Sequence, residues 1–472
     1  MKLNANNFVQ LSAVAVRDEV LQTAVTRATN GASSNRVRAL REVSEAHGEA
    51  LRQQAAAAKR RALHSLPNLL EQAEAKMQAN GITVLWAVDA AEARQHILDI
   101  ARRHQVRRIV KSKSMATEEI GLNDVLETNN IETIETDLGE YIIQLNHEAP
   151  SHIVAPVIHK TKESIRDIFI REIDMPPTDD AATMARYARG QLREAFLTAD
   201  MGISGGNFII AETGTLCLVT NEGNGRMVTS VPPVHVALIG IEKIVPTLRD
   251  YATLVQLIAR AATGQKLSVY GSMVNGPRRA GETDGPDHVY VVLLDNGRSN
   301  IYTNPDYVEA LACLRCGACL NTCPVYQAAG GHSYGWVYPG PIGAVVTPLL
   351  NGIENASPLP FASSLCGSCK QACPVDIDLP RMLLTLRRDL VQRGTQGRIW
   401  DVGMKLWAMG NSSPTAFRLG GKVASLASNA IHLQTMPGPL GGWTDHRAAP
   451  QFAPKSFREL WAEREKGAQN EQ

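Results

Sequence analysis

The sequence predicts an α/β domain built on a parallel sheet, followed by a mainly helical module rich in cysteine. Three observations lead there. Between residues 70 and 300, strand-sized apolar runs alternate with amphipathic helical segments, the signature of a parallel sheet flanked by helices. Seven of the 8 cysteines fall between Cys313 and Cys373. Those seven form two runs of similar spacing, "CLRCGACLNTCP" and "SSLCGSCKQACP". The boundaries that follow are a helical N-terminal arm over 1–65, the α/β domain over 66–302, the cysteine module over 303–395 and a C-terminal tail over 396–472.

Each element has a local reason. The arm contains the Ala- and Arg-rich segment "EALRQQAAAAKRRALHSL" and reads as a solvated helix. "QAEAKMQANG" is helical and ends at Gly81, a C-cap candidate. "ITVLWAV" (82–88) is a strand, and "AAEARQHILDIARRHQV" a helix with Ile97, Ile100 and Ala101 on one face. "RRIVKSKS" reads as strand then loop, "GLNDVLETNN" as helix and "IETIET" as strand. Two helices follow, "KESIRDIFIREI" and "DDAATMARYARGQLREAFLTAD". The stretch from Asn207 to Thr247 and the run "VYVVLLDNGRS" read as strands joined by Gly- and Asn-rich turns. "GGHSYGWVYPGPIG" reads as a loop beside the cysteines. "DLPRMLLTLRRDLVQRG" is a helix capped by Asp378, with Pro380 in its first turn and Gly394 at its end. The tail closes on a charged helix, "SFRELWAEREK".

Composition excludes several classes. Lys plus Arg total 48 against 47 Asp plus Glu, a net charge of +1, so no overall field attracts nucleic acid or anionic membrane. Aromatics are sparse at 5%, which disfavours a base-stacking surface. No apolar run approaches the roughly 20 residues that span a bilayer. The first residues lack the apolar core of a secretory signal. A cytoplasmic protein is the expectation, and there clustered cysteines point to metal rather than disulfides.

The first run spaces Cys313, Cys316, Cys319 and Cys323 as C-x2-C-x2-C-x3-C, then Pro324, the bacterial ferredoxin pattern for a [4Fe–4S] cluster. Short gaps turn three thiolates onto three corners of one cube, and Gly317 lets the backbone approach. In two-cluster ferredoxins the fourth cysteine of each run serves the other cluster. By that rule Cys313, Cys316, Cys319 and Cys373 complete a first cluster, while Cys323, Cys366 and Cys369 hold three corners of a second. The fourth corner falls to the position of Ser363. Ser363 or Ser364 could supply an oxygen there, or a water could, or that iron could be absent. Cys217, inside the apolar run "TLCLV", is distant and reads as a buried strand residue, and His332 is a loop histidine that could tune or ligate. Zinc also uses CxxC pairs, but zinc runs rarely carry three thiols at two-residue gaps before Cys-Pro.

In open α/β sheets, ligands sit beyond the carboxyl ends of the strands. That makes Lys113, Asp137, Glu140, Asn207, Glu212 and Thr213 pocket candidates. Each has a structural alternative: Asp137 can cap a helix, and Glu212 and Thr213 can shape a hairpin turn. "GISGGN" matches neither G-x-G-x-x-G nor a Walker A run, so no motif indicates NAD linkage. No nucleophile–base pair is visible, and His147, His152, His159 and His235 read as structural.

The stretches "ETDLGEYIIQL", "PSHIVAPVIHK", "NFIIAETGTLCLVTNEGN", "VHVALIGIEKIVPT", "LRCGACLNTCPVY", "SLCGSCKQACPVDIDLP" and "FRELW" together resemble the lactate utilization protein B family, over most of the chain. The resemblance implies a lactate-utilization (LUD) α/β domain with a fold similar to the CoA-transferase and sugar-phosphate isomerase superfamily, followed by a two-cluster ferredoxin-like domain. It implies two [4Fe–4S] clusters on the seven clustered cysteines. It further implies oxidation of L-lactate to pyruvate within a complex, with a cysteine-rich protein A and a second LUD-domain protein C as partners. Alternative functions are an iron–sulfur subunit for another 2-hydroxy acid such as glycolate, or a non-enzymatic electron carrier or redox sensor.

Overall fold

The computed structural model describes residues 2–148, 157, 160–395, 397–430, 444, 447–448 and 451–470. His152 and His159 lie outside them. The chain divides into two compact units, Met1–Leu390 and Val391–Gln472.

The first unit opens with helices α1 (Phe8–Ala15), α2 (Glu19–Leu40), α3 (Glu45–His64) and α4 (Leu66–Ala79). Asp18 and Ser44 cap α2 and α3 by accepting the backbone N–H of Leu21 and His47, satisfying donors that a helix start leaves open. Gly81 follows α4 at φ +87°.

Six strands then form a wholly parallel sheet: β1 (Thr83–Ala87), β2 (Arg108–Lys111), β3 (Glu132–Glu135), β4 (Met201–Ser204), β7 (Val234–Gly240) and β10 (His288–Leu294), in the order β1-β10-β7-β4-β2-β3. The α/β expectation holds. Connecting helices are α5 (Ala90–Arg103), α6 (Met115–Glu119), α7 (Leu122–Thr128), α8 (Leu138–Leu145), α9 (Lys162–Ile173) and α10 (Ala181–Thr198). Ile97, Ile100 and Ala101 of α5 are buried as their spacing predicts.

The stretch read as continuous strands is more varied. β5 (Phe208–Ile210), β6 (Thr215–Thr220), β8 (Ile244–Val245) and β9 (Tyr270–Val274) form a separate four-stranded sheet, ordered β8-β5-β6-β9. Helix α11 (Asn224–Ser230) interrupts the stretch read as strands, and helix α12 (Leu248–Ala262) follows it. α11 packs on β4 at Gly202, where a Cβ would stand 2.0 Å from the carbonyl oxygen of Val228; only bare backbone permits that approach. α12 starts with Thr247 accepting from the Asp250 N–H and packs on α2 and α3. The arm is therefore not solvated: Ala55, Ala56, Ala58 and Ala62 of α3 are buried, small side chains that let helices lie close.

The cysteine module follows α13 (Arg298–Tyr302) and consists of α14 (Ala318–Asn321), α15 (Pro324–Ala329), α16 (Gly340–Asn351), α17 (Ser368–Ala372) and α18 (Leu379–Gln392), joined by 3-10 turns. The stretch expected as a loop is partly a 3-10 turn, His332–Tyr334, and partly the start of α16. Asp378 caps α18 by accepting the Arg381 N–H at 3.2 Å. One apolar core joins Phe8 and Val25 of the arm, Phe208 and Leu254 of the α/β part, and Leu320, Tyr334 and Leu383 of the module.

The second unit contains α19 (Arg398–Asn411), α20 (Pro414–Ala430) and α21 (Phe457–Asn470). α21 starts on a capping box: Ser456 Oγ accepts from Glu459 N–H, and Glu459 Oε2 accepts from Ser456 N–H. Among the described residues no helix is long and apolar enough to cross a membrane.

Candidate functional site

All seven clustered cysteines are free thiols, and they gather in two groups. After burial, Cys313 and Cys373 push up the pKa of Cys316, Cys313, Cys316 and Cys373 that of Cys319, and Cys313 that of Cys373. In the second group Cys366 acts on Cys323, and Cys323 and Cys366 on Cys369, while exposed Cys366 is itself lowered, foremost by the Ser368 hydroxyl. Burial, then this repulsion, pushes Cys369 up to about 11. Burial likewise dominates at Cys316 and Cys373, each pushed up to about 12. Thiols so placed become thiolates only around a compensating cationic core. The donor set is all sulfur, in the three-thiol spacing ending in Cys-Pro that suits iron–sulfur cubes.

The two runs repeat each other in backbone geometry. Arg315 and Leu365, each preceding a cysteine, take φ +58° and +56°, and Gly317 and Gly367 after that cysteine take +79° and +84°. The Sγ of Cys313 accepts from the Arg315 N–H at 3.3 Å, and the Oγ of Ser363 accepts from the Leu365 N–H at 3.1 Å. Ser363 thus occupies in the second run the seat Cys313 takes in the first. Ser364 is exposed and His332 is exposed. Cys217 is fully buried in the four-stranded sheet, its thiol pushed up to about 12 by burial.

A cavity of about 440 Å³ lies between the sheet and the cysteine module. Its walls come from the carboxyl ends of five adjacent parallel strands: Ser112 to Ala116 after β2, Asp137 after β3, Gly205 to Asn207 after β4, Gly240, Glu242 and Lys243 at the end of β7, and Arg298 after β10. The opposite wall is Leu314, Arg315, Cys316 and Tyr338. One thiol of the first group therefore faces the cavity.

A buried ion cluster ties the two walls together. Arg298 holds Glu119 through both terminal nitrogens, at 2.9 and 2.8 Å, and Glu242 through Nε at 2.7 Å. Tyr338 donates to Glu119 at 2.5 Å, and Lys59 donates to the Glu242 carbonyl at 2.8 Å. Although burial opposes ionisation, Arg298 foremost holds the Glu242 carboxyl down at about 2. The guanidinium of Arg315 stacks 4.2 Å over the Tyr338 ring.

Of the six pocket candidates, the fold brings Lys113, Asp137 and Asn207 into the cavity wall. Asp137 also caps α8, accepting from Gly139 and Glu140, and Asn207 Oδ1 accepts from the Val219 N–H. Glu140 is buried behind the Lys111–Glu135 pair, outside the lining, with no hydrogen-bond partner among the described residues. Burial, then Glu135, holds its carboxyl well above the usual range. Glu212 and Thr213 sit in the β5–β6 turn, away from the cavity, where Glu212 accepts from the Leu248 N–H. The residues that sequence reasoning passes over are Glu119, Glu242, Lys243, Arg298, Arg315 and Tyr338. Two of them carried a signal: Arg315, a charged residue inside the cysteine run, and Arg298, in the loop "DNGRSN" after the last strand.

Family profiles match in three blocks: a LUD domain over 70–294, a 4Fe-4S dicluster domain over 309–377, and a lactate utilisation protein B C-terminal region over 389–466. Fold and site thus define a LUD-domain iron–sulfur protein. Across 412 residues the chain is 45% identical to "Lactate utilization protein B" of Oceanobacillus iheyensis, covering 86% of each. Across 471 residues it is 41% identical to the protein of that name from Bacillus subtilis, covering 98% of each. The chain belongs to the lactate utilization protein B family. A crystal structure of a duf162 family protein from Deinococcus radiodurans aligns over 49% of this chain and 98% of its own at 18% identity, with a TM-score of 0.26, too low to bear on the fold.

Proposed function

We propose that this protein is the iron–sulfur electron-transfer subunit of a complex that oxidises L-lactate to pyruvate in the cytoplasm, working with the family's proteins A and C. We assign Cys313, Cys316, Cys319 and Cys373 to one [4Fe–4S] cluster, and Cys323, Cys366 and Cys369 to a second, with Ser363 at its fourth corner. The observation that carries this reading is the gathering of the thiols into those two groups, with one member, Cys316, in the cavity wall. When bound, such clusters accept electrons one at a time, whereas lactate yields two. In this assignment Cys323 and Cys373 each belong by sequence to one run and serve the cluster of the other, so each chain segment braces both sites. The names of the relatives supply the substrate.

The test is anaerobic co-purification with proteins A and C. About eight iron and eight sulfide per chain are expected, together with visible bleaching on addition of L-lactate. Inorganic sulfide at background level overturns the cluster assignment. Full clusters bleached by glycolate but not by L-lactate replace the substrate, and full clusters bleached by no hydroxy acid leave an electron carrier.

A further inference from the structure

The cavity is rimmed by five strand ends, where open α/β sheets seat ligands, and its far wall carries a cluster thiol. At that end three cations line it, Lys243, Arg298 and Arg315. Arg298 is spent on Glu119 and Glu242. Glu242, the carboxylate that acts on both Lys243 and Arg315, is itself ion-paired to Arg298. Among the described residues, Lys243 Nζ donates to a backbone oxygen, that of Cys313, at 3.2 Å. Arg315 keeps Nη1 buried with no partner among the described residues, a state that costs free energy until an acceptor arrives. Its orientation is fixed from both sides: the backbone is held at φ +58°, and the guanidinium rests on Tyr338, itself anchored by Glu119. A preset fork with a spare donor, beside a second cation, matches a carboxylate. Leu314, in the same wall as Arg315 and Cys316, suits a short carbon chain. At about 440 Å³ the cavity exceeds a three-carbon acid, so anchoring at one wall rather than overall shape must define the seat.

We propose that this cavity binds a small 2-hydroxy or 2-oxo acid, its carboxylate held between Arg315 and Lys243 and its carbon chain against the wall containing Cys316. The choice of acid rests on the function proposed above; the anion seat rests on the geometry. The rival role for both cations is to screen the neighbouring thiolates.

The test is calorimetric titration of the anaerobic, iron-replete protein with L-lactate, pyruvate, the neutral amide lactamide and inorganic phosphate, in the wild type and in Arg315→Gln and Lys243→Gln. Either acid should bind, lactamide should not, and each variant that retains its iron should weaken the acid at least tenfold. The inference is overturned if neither acid binds iron-replete wild type, or if phosphate binds as tightly as both acids. It is also overturned if iron-replete variants bind within twofold of wild type while their cluster potential shifts, the mark of screening alone. Should either variant lose iron, the other decides, and Arg315→Lys, which keeps the charge without the fork, should bind between wild type and Gln. Iron, sulfide and visible spectra of the same samples report the cluster assignment separately, so its failure is not mistaken for failure of the acid site.

Discussion

Arg298 shows how much of the site depends on single buried side chains. It neutralises Glu119 and Glu242, both nearly inaccessible to solvent, so replacing it with methionine leaves two buried carboxylates without a counter-charge. Removing one partner of such a cluster costs about 3–5 kcal/mol. Arg298→Met should lower the urea midpoint accordingly, and a loss under about 1 kcal/mol would refute the role. Its stretch, "DNGRSN", stands out in the sequence as a strand-end loop, but the partners lie 179 and 56 positions away, a pairing that no local pattern announces. Thiol spacing, by contrast, is local, which is why the cysteines were legible and the ion cluster was not. Ser363 offers a second test at this scale. Because its Oγ takes the seat of Cys313 Sγ, Ser363→Cys should add a thiolate corner and lower the midpoint potential of the second cluster. Ser363→Ala should yield the resonance of a three-iron cluster in electron paramagnetic spectra of oxidised protein; unchanged spectra in both variants would remove Ser363 from the ligand set. His235 gives the pH dependence. Burial holds it at about 4 against an ordinary 6.5. Between those values the unfolded chain binds a proton that the folded one refuses, so stability is full above pH 6.5 and falls as pH drops toward 4, by on the order of 3 kcal/mol. His235→Gln should flatten that part of the profile relative to wild type; parallel profiles would contradict it.

Elements were legible where period and cap agreed. The Ile97, Ile100 and Ala101 stripe located α5, and Asp378 with Gly394 framed α18. The N-terminal arm shows the limit of that reasoning: a run of alanines is equally compatible with a solvated helix and with one packed closely, and only the presence of α12 decides. α12 itself carried a Thr247-x-x-Asp250 cap and a Leu254, Leu257, Ile258 stripe, in the span between the two stretches that read as strands. α11 was masked by β-branched neighbours, and its place depends on Gly202 of a different element. That dependence is testable. A methyl at 202 would overlap a backbone carbonyl that no rotamer change can move. Gly202→Ala should therefore displace α11, whose Asn224 lines the cavity, and cost about 1–3 kcal/mol by overpacking. Chemical denaturation within experimental error of wild type would show that α11 does not need this close approach.

At the scale of the whole first unit, the arm, the two sheets and the cysteine module share one apolar core, and the arm is stitched to the module by hydrogen bonds onto its backbone. Gly335 and Ala328 accept from Asn4 and Gln22 at 2.8 and 2.6 Å, Asn321 accepts from Ser33 at 3.0 Å, and Cys373 accepts from both Nε and Nη2 of Arg52. Phe8 packs edge-on against Tyr334, ring centroids 5.2 Å apart. Metal binding to a site absent from the unfolded chain adds directly to folding free energy. If module and α/β part fold as one, that contribution stabilises the parallel sheet too, although no cysteine ligand lies in it. Removing iron with a chelator under anaerobic conditions should therefore lower the melting of far-ultraviolet signal and of near-ultraviolet signal from Trp86 in β1 together, by at least several degrees. Deleting residues 1–43 should speed iron loss in air, because it removes Phe8, Gln22 and Ser33 from the module while sparing Arg52. A Trp86 signal that melts at the same temperature with and without iron would mean that the sheet stands alone, and that the shared core transmits nothing from the thiol groups to the strands that build the cavity.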